Sequence, residues 1–180
     1  MQNSEYADGH WRRLNLPHDW AIEGDFSPSN PSGASGGALP GGIGWYRKHF
    51  SLSPDEKYDR FTITFDGVYM NSTVYINGHK LGTRPYGYST FEYDLTPYIY
   101  KKGDNVIAVK VDNSDQPNSR WYSGCGIYRH VWLTKTLKKA YIPQWGQYVA
   151  TTPKGDVKVK VDFHAEGSRM KLSIRNTIYD

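Results

Sequence analysis

The chain has 180 residues, enough for about one domain of typical size and a remainder, and enough to bury a sizeable core without disulfide or metal staples. Its 15% aromatic content, with 18 glycines and 10 prolines, points to short strands between frequent turns and away from disorder. The 22 Lys and Arg against 18 Asp and Glu leave +4, scattered without a basic face for nucleic acid, and no run approaches the roughly 20 apolar residues of a membrane-spanning helix.

Met1-Gln2-Asn3-Ser4 shows no basic region followed by an apolar one, so no signal peptide is expected at this start. An upstream signal already removed would place the protein in the periplasm or outside the cell, and localisation stays open. Residues 1–18 are polar and irregular apart from a short strand expected at 11–16. Residues 27–44 read as a loop, because glycine and proline at that density oppose regular structure. A phosphate-binding role for this loop needs Gly-Lys-Ser/Thr opening a helix, whereas here the loop leads into an apparent strand. A flexible surface loop is the expected reading.

Strand signals then follow closely. Residues 46–52 form a first candidate. Phe61, Ile63 and Phe65 alternate with Thr62, Thr64 and Asp66, the period of a half-buried strand. Val74-Tyr75-Ile76 meets Asn77-Gly78 and then Lys80-Leu81, a strong hairpin signal. Residues 91–95, 106–111 and 130–134 supply further strands, and no window carries a helical period. About eight short strands at this spacing predict an all-β sandwich over residues 1–137. Past Lys135 the texture changes. Val157, Val159, Val161 and Phe163 alternate with polar residues, and Leu172 and Ile174 are expected to begin another strand. Residues 138–180 hold too few strands for the roughly seven of an immunoglobulin-type sandwich and read as the truncated start of one, less stable than the rest.

Chemistry is sparse. The six histidines have no helical ligand spacing, and Cys125 is the only cysteine, so neither a zinc site nor an intrachain disulfide is expected. Between Gly124 and Gly126, Cys125 suits a tight turn better than a nucleophile. Glu23 with Asp25, and Glu92 with Asp94, could present paired carboxylates for glycoside hydrolysis, although such pairs are more often solvated edges. Most informative is the stretch from Asp112 to Arg129. Every residue from Asp112 to Ser119 except Pro117 is polar, and Arg120-Trp121-Tyr122 follows. Planar polar groups for hydroxyls beside an aromatic face for C–H surface suit a sugar. A capping loop plugged by Trp121 is the competing reading. Asp19, in Leu16-Pro17-His18-Asp19-Trp20, either turns the chain or reaches a ligand.

Several of these motifs, in order, carry a resemblance. Leu16-Pro17-His18-Asp19-Trp20, Gly-Gly-Ile-Gly-Trp-Tyr-Arg-Lys at 41–48, Val74-Tyr75-Ile76-Asn77-Gly78 and Tyr86-Gly87-Tyr88-Ser89-Thr90-Phe91 resemble the sugar-binding domain of glycoside hydrolase family 2. Asp94-Leu95-Thr96 and residues 103–113 continue it, and Ser119 to Leu133 resembles the β-galactosidase branch. The resemblance covers residues 10–137, and residues 141–146 resemble the opening of the family's immunoglobulin-like second domain.

The resemblance implies a jelly-roll β-sandwich leading a retaining glycosidase, most simply a β-galactosidase. Its catalytic glutamates would lie on a later barrel of about 250 residues, which this chain cannot contain. The chain alone is then expected to be inactive, to need no cofactor, and to have as partners a terminal β-galactoside and the catalytic barrel of the same polypeptide. By motif position the loop lent to the sugar pocket is 115–121, with Asn118, Ser119 and Arg120 foremost, then Asp115 and Trp121, and more weakly Asp19 and Asp25. Some relatives place an aspartate beside the equivalent tryptophan, contacting sugar and sodium. Ser119-Arg120 stands there in this sequence, which favours direct contact by Arg120 and no metal. The competing classes are an independent carbohydrate-binding module and a structural or oligomerisation domain.

Overall fold

Seven strands between residues 42 and 136 follow alternations already visible in the sequence: β1 (Gly42–Ser51), β2 (Arg60–Phe65), β3 (Ser72–Ile76), β4 (His79–Arg84), β5 (Phe91–Asp94), β6 (Asp104–Asn113) and β7 (Val131–Thr136). The computed structural model describes residues 1–167 and 171–179. They divide into two units, Met1–Glu56 with Phe61–Lys135, and Lys57–Arg60 with Thr136–Asp180.

In the first unit one antiparallel sheet runs β1-β6-β3-β4 and a second runs β5-β2-β7. Phe61, Ile63 and Phe65 of β2 meet Val74 and Ile76 of β3 and Ile107, Val109 and Val111 of β6 in one buried cluster. The sheets therefore face each other as a β-sandwich, and each such side chain stabilises it by about 1.5–3 kcal/mol. Asn77 and Gly78 turn the β3–β4 hairpin at φ of 49° and 83°, as Asn-Gly turns require. The alternation in β2 predicts one wet face, yet Thr62 and Thr64 are also buried. The reason is position: β2 is the middle strand of its sheet, and the Thr64 hydroxyl donates to Glu92 on β5 at 3.1 Å.

Strand bounds in this unit shift from expectation by up to four residues, and one expected strand is missing. β1 begins at Gly42, because Gly42 and Ile43 pair with Asn113 and Asp112 of β6. Residues 11–16 form no strand. A strand needs a ladder partner for its backbone groups, and the chain here is tied differently. The Arg47 side chain, 1% exposed, donates to the carbonyls of Met1, Asn3, Ser4 and Tyr6 at 2.5–3.4 Å and to the Asp8 carboxylate at 2.5 Å. His49 bridges Asp8 at 2.9 Å and Asp104 at 2.5 Å. A cavity of 390 Å³ remains between the sheets, lined by residues that include Leu16, Phe50, Phe65, Val131 and Leu133.

The glycine-rich loop is more ordered than a flexible surface loop. The Asn30 amide donates to Asp25 O at 2.9 Å and Ala38 O at 2.7 Å, Ser32 Oγ donates to Leu39 O at 2.6 Å, and Leu39 packs with Ala21 and Cys125.

The second unit has four short strands among its described residues, β8 (Ala140–Tyr141), β9 (Gln147–Thr151), β10 (Val157–Val161) and β11 (His164–Ala165). They pair as two ribbons, β9 with β10 and β8 with β11. The Arg60 guanidinium lies 4.0 Å from the Tyr141 ring centroid, and the Lys138 amide donates to Asp59 at 2.5 Å. Val149, Val157 and Val159 stay exposed. The strand expected from Leu172 is absent: residues 171–179 are irregular, with Leu172 and Ile174 exposed and no ladder partner among the described residues.

The Arg47–Asp8–His49 contacts make docking of the N-terminal segment pH-dependent. Hydrogen bonds from Arg47 and then His49 hold the Asp8 carboxyl down to about 2, while bonds to Asp104 and Asp8 raise His49 above its ordinary 6.5. Ionised Asp8 contributes above its ordinary value of 3.8, and that contribution is lost as pH falls toward 2. Protonated His49 contributes fully below 6.5 and is lost as pH rises through its raised value. Amide exchange of residues 1–8, corrected for intrinsic rates, is expected to be slowest between about pH 4 and pH 6.5. Protection that stays flat beyond both limits would contradict this.

Candidate functional site

Strand parity sets the site. Ile107, Val109 and Val111 of β6 point into the core, and the same parity places the Asn113 side chain inside at the strand's end, 2% exposed. Its amide donates to Gly124 O and Cys125 Sγ, both at 3.0 Å, and its oxygen accepts from the Asn118 amide at 2.6 Å. Asn118 in turn donates to Asp115 O at 3.1 Å and accepts from the Tyr69 hydroxyl at 3.2 Å. Tyr69 and Gly126 exchange both backbone hydrogen bonds at 2.9 Å. Ser119 Oγ donates to Trp121 O at 2.5 Å and lies 2.8 Å from Ser123 Oγ. Residues 113–126 are thus a loop whose polar side chains fix its own path.

Asp19 closes the loop from outside. Its Oδ1 accepts from the backbone N–H groups of Ala21 at 2.9 Å and Cys125 at 2.8 Å, and its Oδ2 accepts from the Tyr122 hydroxyl. His18 and Trp20 on either side add backbone bonds to Ile127 O at 2.8 Å and Cys125 O at 3.0 Å. His18 Nδ1 stands 2.8 Å from the Tyr46 hydroxyl, and its Nε2 lies 3.3 Å from Glu23, which also pairs with Arg12 at 2.6 Å. Burial, helped by Asp19 alongside, raises the Tyr122 phenol. Burial also pushes the Cys125 thiol up to about 11, against a smaller lowering by Asn113. It stays protonated at neutral pH, and a nucleophilic role has no support.

The structure therefore brings Asn118, Ser119, Trp121 and Asp19 into one hydrogen-bonded assembly. Asp115 and Arg120 are exposed on the same loop, and the Arg120 guanidinium has no hydrogen bond or ion pair among the described residues. Asp25 stands outside this network, exposed, with its carbonyl accepting from Asn30. Between this loop and the glycine-rich loop lies a cavity of about 20 Å³, lined in part by Ser32, Leu39, Asn113, Asn118 and Ser123. That is room for about one water. The larger 390 Å³ cavity is mostly aliphatic and lacks the converging polar groups that a sugar requires.

Neither carboxylate pair singled out in the sequence lines either cavity. Glu23 is held by Arg12 and His18, Glu92 accepts from Thr64, and Asp94 accepts from the Thr96 amide at 2.8 Å. No cluster of His, Cys, Asp and Glu suited to a metal occurs among the described residues. Sequence reasoning missed Asn113 and Tyr69 as supports of the site. The alternation through β6, carried one step past Val111, was the signal that places Asn113 inside.

The family model described as "Glycosyl hydrolases family 2, sugar binding domain" matches residues 38–137. A protein of Bacteroides ovatus named as a beta-galactosidase is 64% identical over 147 residues, covering 82% of this chain and 17% of that protein. One of Formosa agariphila named "Beta-glucuronidase" is 35% identical over 147 residues, covering 73% of this chain and 15% of that protein. A crystal structure of a beta-glycosidase from Bacteroides vulgatus matches with TM-score 0.85 at 42% identity, covering 93% of this chain and 22% of that one. The chain spans less than a quarter of the length of each of these relatives.

Asp19→Ala removes the acceptor of two backbone N–H groups and one hydroxyl, and is expected to lower the unfolding free energy in urea by roughly 3 kcal/mol. Asp19→Asn keeps one acceptor oxygen and should lose less. An Asp19→Ala midpoint equal to wild type would contradict the positioning role.

Proposed function

Because the chain belongs to glycosyl hydrolase family 2 through that family's sugar-binding domain, we propose that it is the non-catalytic leading domain of a β-galactosidase-like enzyme. In this reading the 113–122 loop forms one wall of a galactoside pocket completed by a catalytic barrel of the same polypeptide. Arg120 carries the reading: an exposed guanidinium, without a partner among the described residues, rides on a loop whose neighbouring side chains are bonded to the protein itself. Its planar fork of donors suits sugar hydroxyls, and a sugar lacking the matching hydroxyl would leave it unpaired.

The roles divide accordingly. Arg120 donates to the sugar and the exposed Asp115 carboxylate accepts from a hydroxyl, while Trp121 stands at the edge of this wall with its indole exposed. Asn118, Ser119 and Asp19 hold the loop in shape, since their polar atoms already have partners. Asp25 has no part in this division. Residues 1–137 are read as the sugar-binding domain and 138–180 as the first strands of an immunoglobulin-like domain. The exposed valines of β9 and β10 support the latter, because such a face is ordinarily covered by further strands.

In a complete β-galactosidase carrying this domain, Arg120→Ala is expected to lower kcat/KM for a terminal β-galactoside about tenfold, the size of one lost polar contact to a charged group. An unchanged value would overturn the claim that the loop touches substrate. A fall confined to a β-glucuronide would reassign the sugar.

A further inference from the structure

The segment joining β4 and β5, Tyr86-Gly87-Tyr88-Ser89-Thr90, has no part in the pocket wall described above, yet it presents two aromatic rings to solvent. Tyr86 is 60% exposed and Tyr88 45%, beside Trp121 at 62%. Single exposed aromatics are ordinary, but a contiguous set marks a contact surface. These rings are contiguous. Tyr86 stands edge-on to Tyr88 at 5.7 Å between centroids, and the Trp121 indole N–H donates to the Tyr88 hydroxyl at 3.4 Å.

The rings are also braced. Tyr88 leans on the buried Tyr69 at 5.3 Å between centroids. Gly87 packs so closely on the Tyr69 ring that a Cβ there would collide with it. The Tyr128 hydroxyl donates to Gly87 O at 2.8 Å, and the Arg84 guanidinium donates to Ser89 Oγ at 2.7 Å. Exposed tyrosines free to move would fold down onto the surface. Here the backbone beneath them is tied to β4, to Tyr69 and to the residue after Ile127, so the rings are held out.

Their chemistry selects the occupant. Each ring pairs a flat apolar face with one polar atom at its edge, a phenol hydroxyl or an indole N–H. A pyranose has the complementary form, with a C–H face to stack and hydroxyls around the rim to meet those edge groups. Arg120 and Trp121 are consecutive in the loop, which puts the ring set next in the chain to the residue assigned to the first sugar. We propose that Tyr86, Tyr88 and Trp121 form a second subsite, an aromatic platform that binds a neutral pyranose unit next to the one held by Arg120. This rests on the sugar-binding reading of the 113–122 loop, and it adds a preference for substrates longer than a single sugar.

All three rings lie on this chain, so the 180-residue protein is sufficient for the test. Galactotriose titrated into the ¹⁵N-labelled chain is expected to shift the Trp121 indole N–H and the amides of residues 86–88 saturably. Tyr88→Ala should weaken that binding by about tenfold or more, whereas Tyr88→Phe keeps the stacking face and most of the affinity. Both changes are at an exposed position and leave the core intact. Silence at Trp121 and 86–88, equal shifts from the open-chain polyol sorbitol, or full affinity in Tyr88→Ala would each overturn the platform. Shifts confined to residues 115–120 would overturn it too while leaving the pocket reading in place. Platform shifts alongside an Arg120→Ala enzyme of unchanged kcat/KM would support the platform and remove the pocket wall.

Discussion

One buried side-chain amide, that of Asn113, joins the sandwich to everything the molecule presents. Leaving such a group unpaired in the core would cost about 1–3 kcal/mol. Its partners, Gly124 O, Cys125 Sγ and the Asn118 amide, lie on the two arms of the following loop and draw both toward the end of β6. The other end of β6 uses the same device. Asn105 is fully buried, bonding to Tyr100 N and O, and accepts from Asn77 at 2.9 Å. A strand with an asparagine at each end fixes its register and both of its exits together.

The consequence is a division between groups that hold and groups that reach. Asp19, Asn118, Ser119 and Tyr69 look like ligand-binding residues by type, yet their polar atoms face the protein. Their bonds fix the backbone on which Arg120 and Asp115 have no side-chain partner among the described residues and Trp121 stays exposed. For the proposed sugar site, preorganisation of this kind favours binding, because a loop already ordered pays less entropy on binding.

Much of the fold was legible from alternation and turn chemistry. Phe61, Ile63 and Phe65, the Asn77-Gly78 turn and the alternation through β6 give the strands that form the sandwich. The failures share one cause. Residues 11–16 and 171–179 have strand-like composition, but pairing is a property of a neighbour, and no neighbour is encoded locally. The site was legible only as a motif. A polar side chain in a loop reads the same whether it bonds a sugar or its own backbone, so the holding role of Asp19 emerged only from its three partners. The proposed aromatic platform was legible even less, since Tyr88, Trp121 and the buried Tyr69 that braces them come from three separate connections.

The central claim is that the 113–126 loop is already ordered without ligand. Backbone ¹⁵N relaxation of the free chain tests it most directly. The account predicts order parameters near the rigid value of about 0.85 from Asn113 to Gly126, matching the neighbouring strand. Values below about 0.6 across residues 115–121 would contradict it, because the buried amides would then not be fixing the loop that carries Arg120, Asp115 and Trp121.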